Sequence, residues 1–138
     1  MGKRLHHEEG SLTAFVAIIA FALFVLIGLV VDGGAVIAAD RGAYGIAEQA
    51  ARAGAGQISV SQLRSTGVVT LNTGRAIRAA EEYATAAGHP GTAYVSGGTV
   101  TVTISYNYPT VIISLIGINS LHVSATASAT NVKGLGGV

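Results

Sequence analysis

A chain of 138 residues with eight basic and seven acidic side chains, formal net charge +1, has room for one domain and no electrostatic footprint for nucleic acid. It has no cysteine and no tryptophan, which excludes disulfide staples, thiolate nucleophiles and the common structural zinc sites. Half of it is hydrophobic, only 11% is charged, and the mean hydropathy is +0.55, too apolar for an ordinary soluble protein.

The apolar residues are concentrated. Residues 1–10 read as a cytoplasmic leader, and residues 11–31 hold no charge. Of the 20 residues 12–31, 14 are Leu, Ile, Val or Phe. Such a run makes a helix of about 30 Å, the thickness of a bilayer's hydrocarbon core. At roughly −0.3 to −0.6 kcal/mol for each large apolar side chain, insertion is favourable by several kcal/mol. Lys3 and Arg4 precede the run, whereas Asp32 and Asp40 follow it and the first basic residue beyond is Arg41. The excess of basic residues before the helix predicts a single-pass protein, N-terminus cytoplasmic and C-terminal part outside. A removed secretory signal is the rival reading, with Val36 and Ala38, or Ile37 and Ala39, before the scissile bond. The apolar core is longer than such signals use.

Past Gly33 and Gly34 the pattern becomes amphipathic, and residues 32–54 are expected to extend the same helix to about Ala53. At 100° per residue Val36, Ala39, Ala43, Ile46, Ala47, Ala50 and Ala53 share one face. Asp40, Arg41, Glu48 and Arg52 lie on the other, with Glu48 and Arg52 in the favourable i,i+4 order. Ala39, Ala43, Ala47 and Ala50 thus form a candidate helix-packing face, small enough for another backbone to come close.

Residues 55–133 are expected to form an extracytoplasmic head. Gly54-Ala55-Gly56 ends the long helix. A second helix is predicted over residues 73–87, with Asn72 as N-cap, Gly88 as stop and a stripe of Ala76, Ile77, Ala80, Tyr83, Ala84 and Ala87. After His89-Pro90-Gly91 the period becomes two. Residues 92–95 and 99–106 read as strands joined by a hairpin at Ser96-Gly97-Gly98. Val100, Val102, Ile104 and Tyr106 face one way, and Thr99, Thr101, Thr103 and Ser105 the other. Residues 121–130 alternate similarly, with Leu121, Val123, Ala125, Ala127 and Ala129 on one side. The apolar stretch 110–118 is expected as a short helix or a loop at a sheet edge, and residues 134–138 as a flexible tail. A head of this size without disulfides is marginal alone, so the outer part of the long helix is expected to supplement its core.

Little in the chain carries chemistry. His6, His7, Glu8 and Glu9 are read as a solvated leader rather than a metal site. His89 falls in a turn, and His122 on the polar side of a strand. Asp32 ends the apolar run at a depth where an acid is ordinary, and is not read as a proton relay. There is no GxSxG, P-loop, HExxH or dinucleotide fingerprint. No catalytic, cofactor-binding or metal residue is assigned, no cofactor is expected, and the protein is read as not an enzyme.

Three stretches carry a family resemblance: Glu9-Gly10-Ser11-Leu12-Thr13-Ala14-Phe15, Val31-Asp32-Gly33-Gly34, and Ala47-Glu48-Gln49-Ala50-Ala51-Arg52-Ala53-Gly54-Ala55. With the apolar helix between them they resemble TadE/TadG-like pilus-assembly proteins, minor pilins or pseudopilins of the tight-adherence (Tad, or Flp) branch of type IV pili. The C-terminal half, from Val100 through Ile116-Gly117-Ile118 to Ala129, is similar to small actinobacterial members. The resemblance implies a type IV pilin-like α+β fold, insertion in the bacterial cytoplasmic membrane, cleavage by a prepilin peptidase and assembly with other pilin-like subunits. By position the scissile bond is Gly10–Ser11. The best-known pilin pattern has Glu five residues after the cleavage point, where it helps a subunit enter the filament. Phe15 stands here instead, which favours an accessory role in the assembly machine.

The expected protein is therefore a non-enzymatic, membrane-anchored component of a Tad-type pilus or related secretion apparatus. Its partners would be the lipid bilayer, other pilus proteins and a prepilin peptidase, with no nucleic acid. The alternative is a membrane-anchored extracytoplasmic binding module unrelated to pili.

Overall fold

The computed structural model describes residues 8–131. Its element order is helix α1 (Glu8–Ala55), helix α2 (Val60–Thr66), helix α3 (Thr73–Ala86), strands β1 (Gly91–Ser96) and β2 (Thr99–Pro109), a 3-10 turn (Ile113–Ile116) and strand β3 (Ser120–Thr130). The class is the expected α+β: a long apolar N-terminal helix, two further helices and a small antiparallel sheet, consistent with a pilin-like arrangement. The leader residues 1–7 and the tail 134–138 fall outside the described residues. The chain forms two compact units, residues up to Val36 with Pro109–Leu121, and Ile37–Tyr108 with the chain from His122.

In the first unit α1 carries no charged residue from Ser11 to Val31. Leu12, Phe15, Ile18, Phe21, Leu23, Phe24, Leu26, Ile27, Leu29 and Val30 are all exposed. This helix is long and apolar enough to cross a membrane. Gly28 is buried, because a Cβ there would stand 2.4 Å from Ile112 Cγ2. The stretch 110–118, expected as a short helix or a loop at a sheet edge, forms a short helical turn, the 3-10 turn ending at Gly117, φ 96°, and groups with this helix.

The second unit is built on alanine. Ala43, Ala47, Ala50, Ala51 and Ala55 of α1 are buried, as are Ala76, Ala80 and Ala84 of α3 and Val100, Val102, Ile104, Val123, Ala125 and Ala127 of the sheet. Gly54 marks the closest approach: a Cβ there would lie 2.7 Å from the Ala76 carbonyl oxygen and 2.9 Å from Val100 Cγ1. The side chain of Asn72 caps α3 by accepting the Arg75 N–H at 3.1 Å. Tyr83 and Ala87, expected on the buried stripe, are exposed, because only the 76-80-84 row meets the core.

The sheet order is β1-β2-β3. Gly97 and Gly98 turn the hairpin with φ 56° and 84°, left-handed values at which glycine carries no Cβ penalty, and Ser96 pairs with Thr99. Across β2 and β3 hydroxyls pair in a ladder, Thr99 with Thr130 at 2.9 Å, Thr101 with Ser128 at 2.8 Å and Thr103 with Thr126 at 2.9 Å. Thr101, expected on the open polar face, is only 8% exposed, because Tyr94 stands opposite it on β1 and Ser128 bonds it on β3. Helix α2 has no counterpart in the sequence reading. All seven of its residues are exposed, and it ends on Gly67 in the left-handed region, whose N–H donates to the Leu63 carbonyl at 3.0 Å.

Candidate functional site

The candidate cleavage and packing residues lie along α1. Its helix begins at Glu8, so Gly10 and Ser11 are already helical, with Ser11 and Phe15 exposed. Lys3, Arg4, His6 and His7 lie outside the described residues.

Asp32 has a structural role that its sequence context did not signal. Its carboxylate accepts the backbone N–H of Val111 at 3.3 Å, of Ile112 at 2.8 Å and of Ile113 at 2.7 Å. The first N–H groups of a helical turn lack partners within the turn. Here one buried acid, at 4% exposure, supplies acceptors for all three. Other polar groups of this connection are paired locally. Thr110 N–H donates to the Asn119 carbonyl at 3.1 Å, its hydroxyl donates to the Ile118 carbonyl, and the Ser114 hydroxyl donates to the Val111 carbonyl at 2.6 Å. The result is a short apolar clasp whose own residues carry no charge and whose leading N–H groups turn onto Asp32.

Among the alanines expected as a packing face, Ala43, Ala47 and Ala50 are buried and Ala39 is half-buried. The carbonyl of Ala39 accepts the Tyr106 hydroxyl at 3.2 Å, and the His89 ring stacks on Tyr106 with centroids 4.3 Å apart. Ala51 was not on the expected face yet is fully buried, since the face widens where α3 and the sheet both meet α1. Asp40 and Arg41 are exposed, and Arg52 pairs with Glu48 on the solvent side.

His122 links Ser105 Oγ at 3.1 Å with Asn107 Oδ1 at 3.2 Å. That is the order of nucleophile, base and orienting group, a set that sequence alone did not pair. All three residues are exposed on an open sheet face, without the dry, donor-lined site that oxyanion stabilisation needs. The contact continues the hydroxyl ladder. Among the described residues no three His, Asp or Glu side chains gather as a metal site. A groove of about 520 Å³ in the second unit is lined by Val69, Thr70, Leu71, Val95, Gly97 and Asn131, and is open to solvent.

A helix with an apolar first half, an acid at its end and small residues beyond coincides with a known pattern. Residues 10–57 match the Tad family model, "Putative Flp pilus-assembly TadE/G-like". The match covers about a third of the chain, almost all of it α1. No curated protein and no solved structure matches the chain. The Tad-like segment supports a component of pilus assembly, and that family suggests a non-enzymatic role.

Proposed function

We propose that this chain is a non-enzymatic, membrane-anchored minor pilin- or pseudopilin-like component of a Tad-type pilus or related secretion apparatus. The observation that carries the reading is α1: an unbroken helix whose apolar first half is exposed and whose alanine face beyond is buried, in the segment matching the family. The charge asymmetry around residues 11–31 supports a cytoplasmic N-terminus with both the sheet and α3 outside. Ala39, Ala43, Ala47 and Ala50 hold α1 to its own sheet and α3, and other pilus proteins then meet the head's outer surface. Phe15, in place of the pilin Glu, supports an accessory place in the machine.

Processing at Gly10–Ser11 is the deciding experiment. A prepilin peptidase works at the cytoplasmic face and needs a small residue before the bond, and Gly10 supplies it. Mass spectrometry of the native protein is expected to show loss of the residues before Ser11, abolished in Gly10→Val. Full-length protein in a host that processes its own pilins would make it an uncleaved anchor. Loss of the residues through Ala38 or Ala39 would overturn the membrane-anchor reading. The binding-module alternative draws on the open groove at Val69 and Val95. Native pull-down from membranes without pilus-assembly proteins would favour it.

A further inference from the structure

The connection between β2 and β3 is an unusual piece of surface. Val111, Leu115, Ile116 and Ile118 are all large, apolar and exposed, Leu115 at 83%. No charged side chain occurs from Pro109 to Leu121. Four such side chains set close together in water would be a liability, and a patch of this kind marks a site that something apolar covers.

Its place on α1 identifies the cover. Ile112, Ile113, Leu115 and Ile116 line a groove of about 110 Å³ together with Phe21, Phe24 and Val25. Ile112 also sits against Gly28, whose missing Cβ makes room for it. At about 1.5 Å per residue, Gly28 is about 6 Å and Phe21 about 16 Å along the helix from Asp32, towards the middle of the apolar run. The loop therefore lies beside the part of α1 that a bilayer would enclose, not beyond its end. At least six of the eight N–H groups of residues 111–118 have an acceptor within this unit, as such a depth favours. Non-helical chain in hydrocarbon must satisfy its polar groups internally. Here the Asp32 carboxylate takes three N–H groups, Leu115 N–H donates to Ile112, Gly117 N–H to Ser114 and Ile118 N–H to Ile113.

We infer that residues 111–118 form a second membrane-inserted element, a short loop that enters the leaflet on the Asp32 side and presents Val111, Leu115, Ile116 and Ile118 to lipid acyl chains. The inference rests on α1 crossing the membrane, and it makes the anchor two-pronged: a spanning helix and a wedge pinned to it by Asp32 and Gly28.

The chain has no cysteine, so single cysteines report unambiguously. Full-length protein with Leu115→Cys, Ile116→Cys, Leu23→Cys or Thr126→Cys is labelled with an environment-sensitive fluorophore. It is then reconstituted in phosphatidylcholine/phosphatidylglycerol vesicles carrying doxyl-labelled lipids. Leu23→Cys reports the spanning helix, and Thr126→Cys the exposed sheet face. The expected result is quenching at Leu115→Cys and Ile116→Cys comparable with Leu23→Cys and several-fold above Thr126→Cys. Loop positions as unquenched as Thr126→Cys, with Leu23→Cys quenched, overturn the inference while leaving the span intact. A blue-shifted but unquenched loop also overturns it, since another protein chain would then be the cover. Loss of quenching at Leu23→Cys itself means that the spanning reading has failed, and the inference with it.

Discussion

The carboxylate of Asp32 accepts the backbone N–H of Ile113 at 2.7 Å, across 81 positions of chain. With the bonds from Val111 and Ile112 it makes one acid the fastening of the whole β2–β3 connection. Asp32→Ala is expected to orphan three donors and release the 3-10 turn. Amide hydrogen exchange at Val111, Ile112 and Ile113 should rise by orders of magnitude in detergent or nanodiscs. Protection at Val102 and Ala127 in the sheet should persist. Asp32→Asn keeps one oxygen acceptor and should fall between. Unchanged exchange at the three amides in Asp32→Ala would refute the clasp.

Two glycines of α1 should respond oppositely to one added methyl. At Gly54 the new Cβ would crowd the Ala76 carbonyl, Val100 and Ala80 at 2.7, 2.9 and 3.2 Å. Gly54→Ala is therefore expected to destabilise the second unit by about 1–3 kcal/mol. At Gly45 nothing lies within 4 Å, and Gly45→Ala should stabilise the helix by up to about 1 kcal/mol. Thermal melts followed by circular dichroism decide. Equal shifts in the same direction would mean that α1 does not approach α3 as described.

The alternation of the sheet gives a second matched pair. Val102 is fully buried and Ser124 is exposed. Val102→Asp places an unpaired charge in the core, at a cost of about 3 kcal/mol or more, enough to unfold a marginal unit. Ser124→Asp should change little. Limited proteolysis that cuts both variants alike would show the strand facing to be wrong.

Topology follows from the flanking charges and is open to chemical labelling. Cysteine at Tyr94, 59% exposed, is expected to react with an impermeant thiol reagent in intact cells whose envelope admits it. Thr101 is too enclosed for this use. Labelling at Tyr94→Cys only after lysis would reverse the orientation.

How much of this was legible in the sequence depends on the range of the forces involved. Helix α3 and the strands could be read because each buries one face and so writes a period, and because Asn72 and Gly97-Gly98 are local signals. Ala43, Ala47 and Ala50 could be named for the same reason, since 100° steps place them together. Helix α2 could not: with every residue exposed it buries nothing and leaves no period. Nor could the role of Asp32, whose acceptor geometry depends on backbone donors 79 to 81 positions away that carry no side-chain signature. The apolar stretch 110–118 was visible as composition, but only the missing side chain at Gly28 fixes which partner it meets. His122 likewise shows its polar facing in sequence and its two partners only in space.

The alanine interface has a consequence for how this protein can vary. Alanine has no side-chain torsion to freeze, so packing it costs backbone entropy alone. It also has almost nothing to give up, since the one smaller residue is glycine. Cores of leucine fail by subtraction, each truncation leaving a hole. The seam along Ala43, Ala47, Ala50, Ala51 and Gly54 fails by addition, because any larger side chain pushes two backbones apart. Its tolerance is one-sided, and among random substitutions the damaging ones there should be those that gain mass.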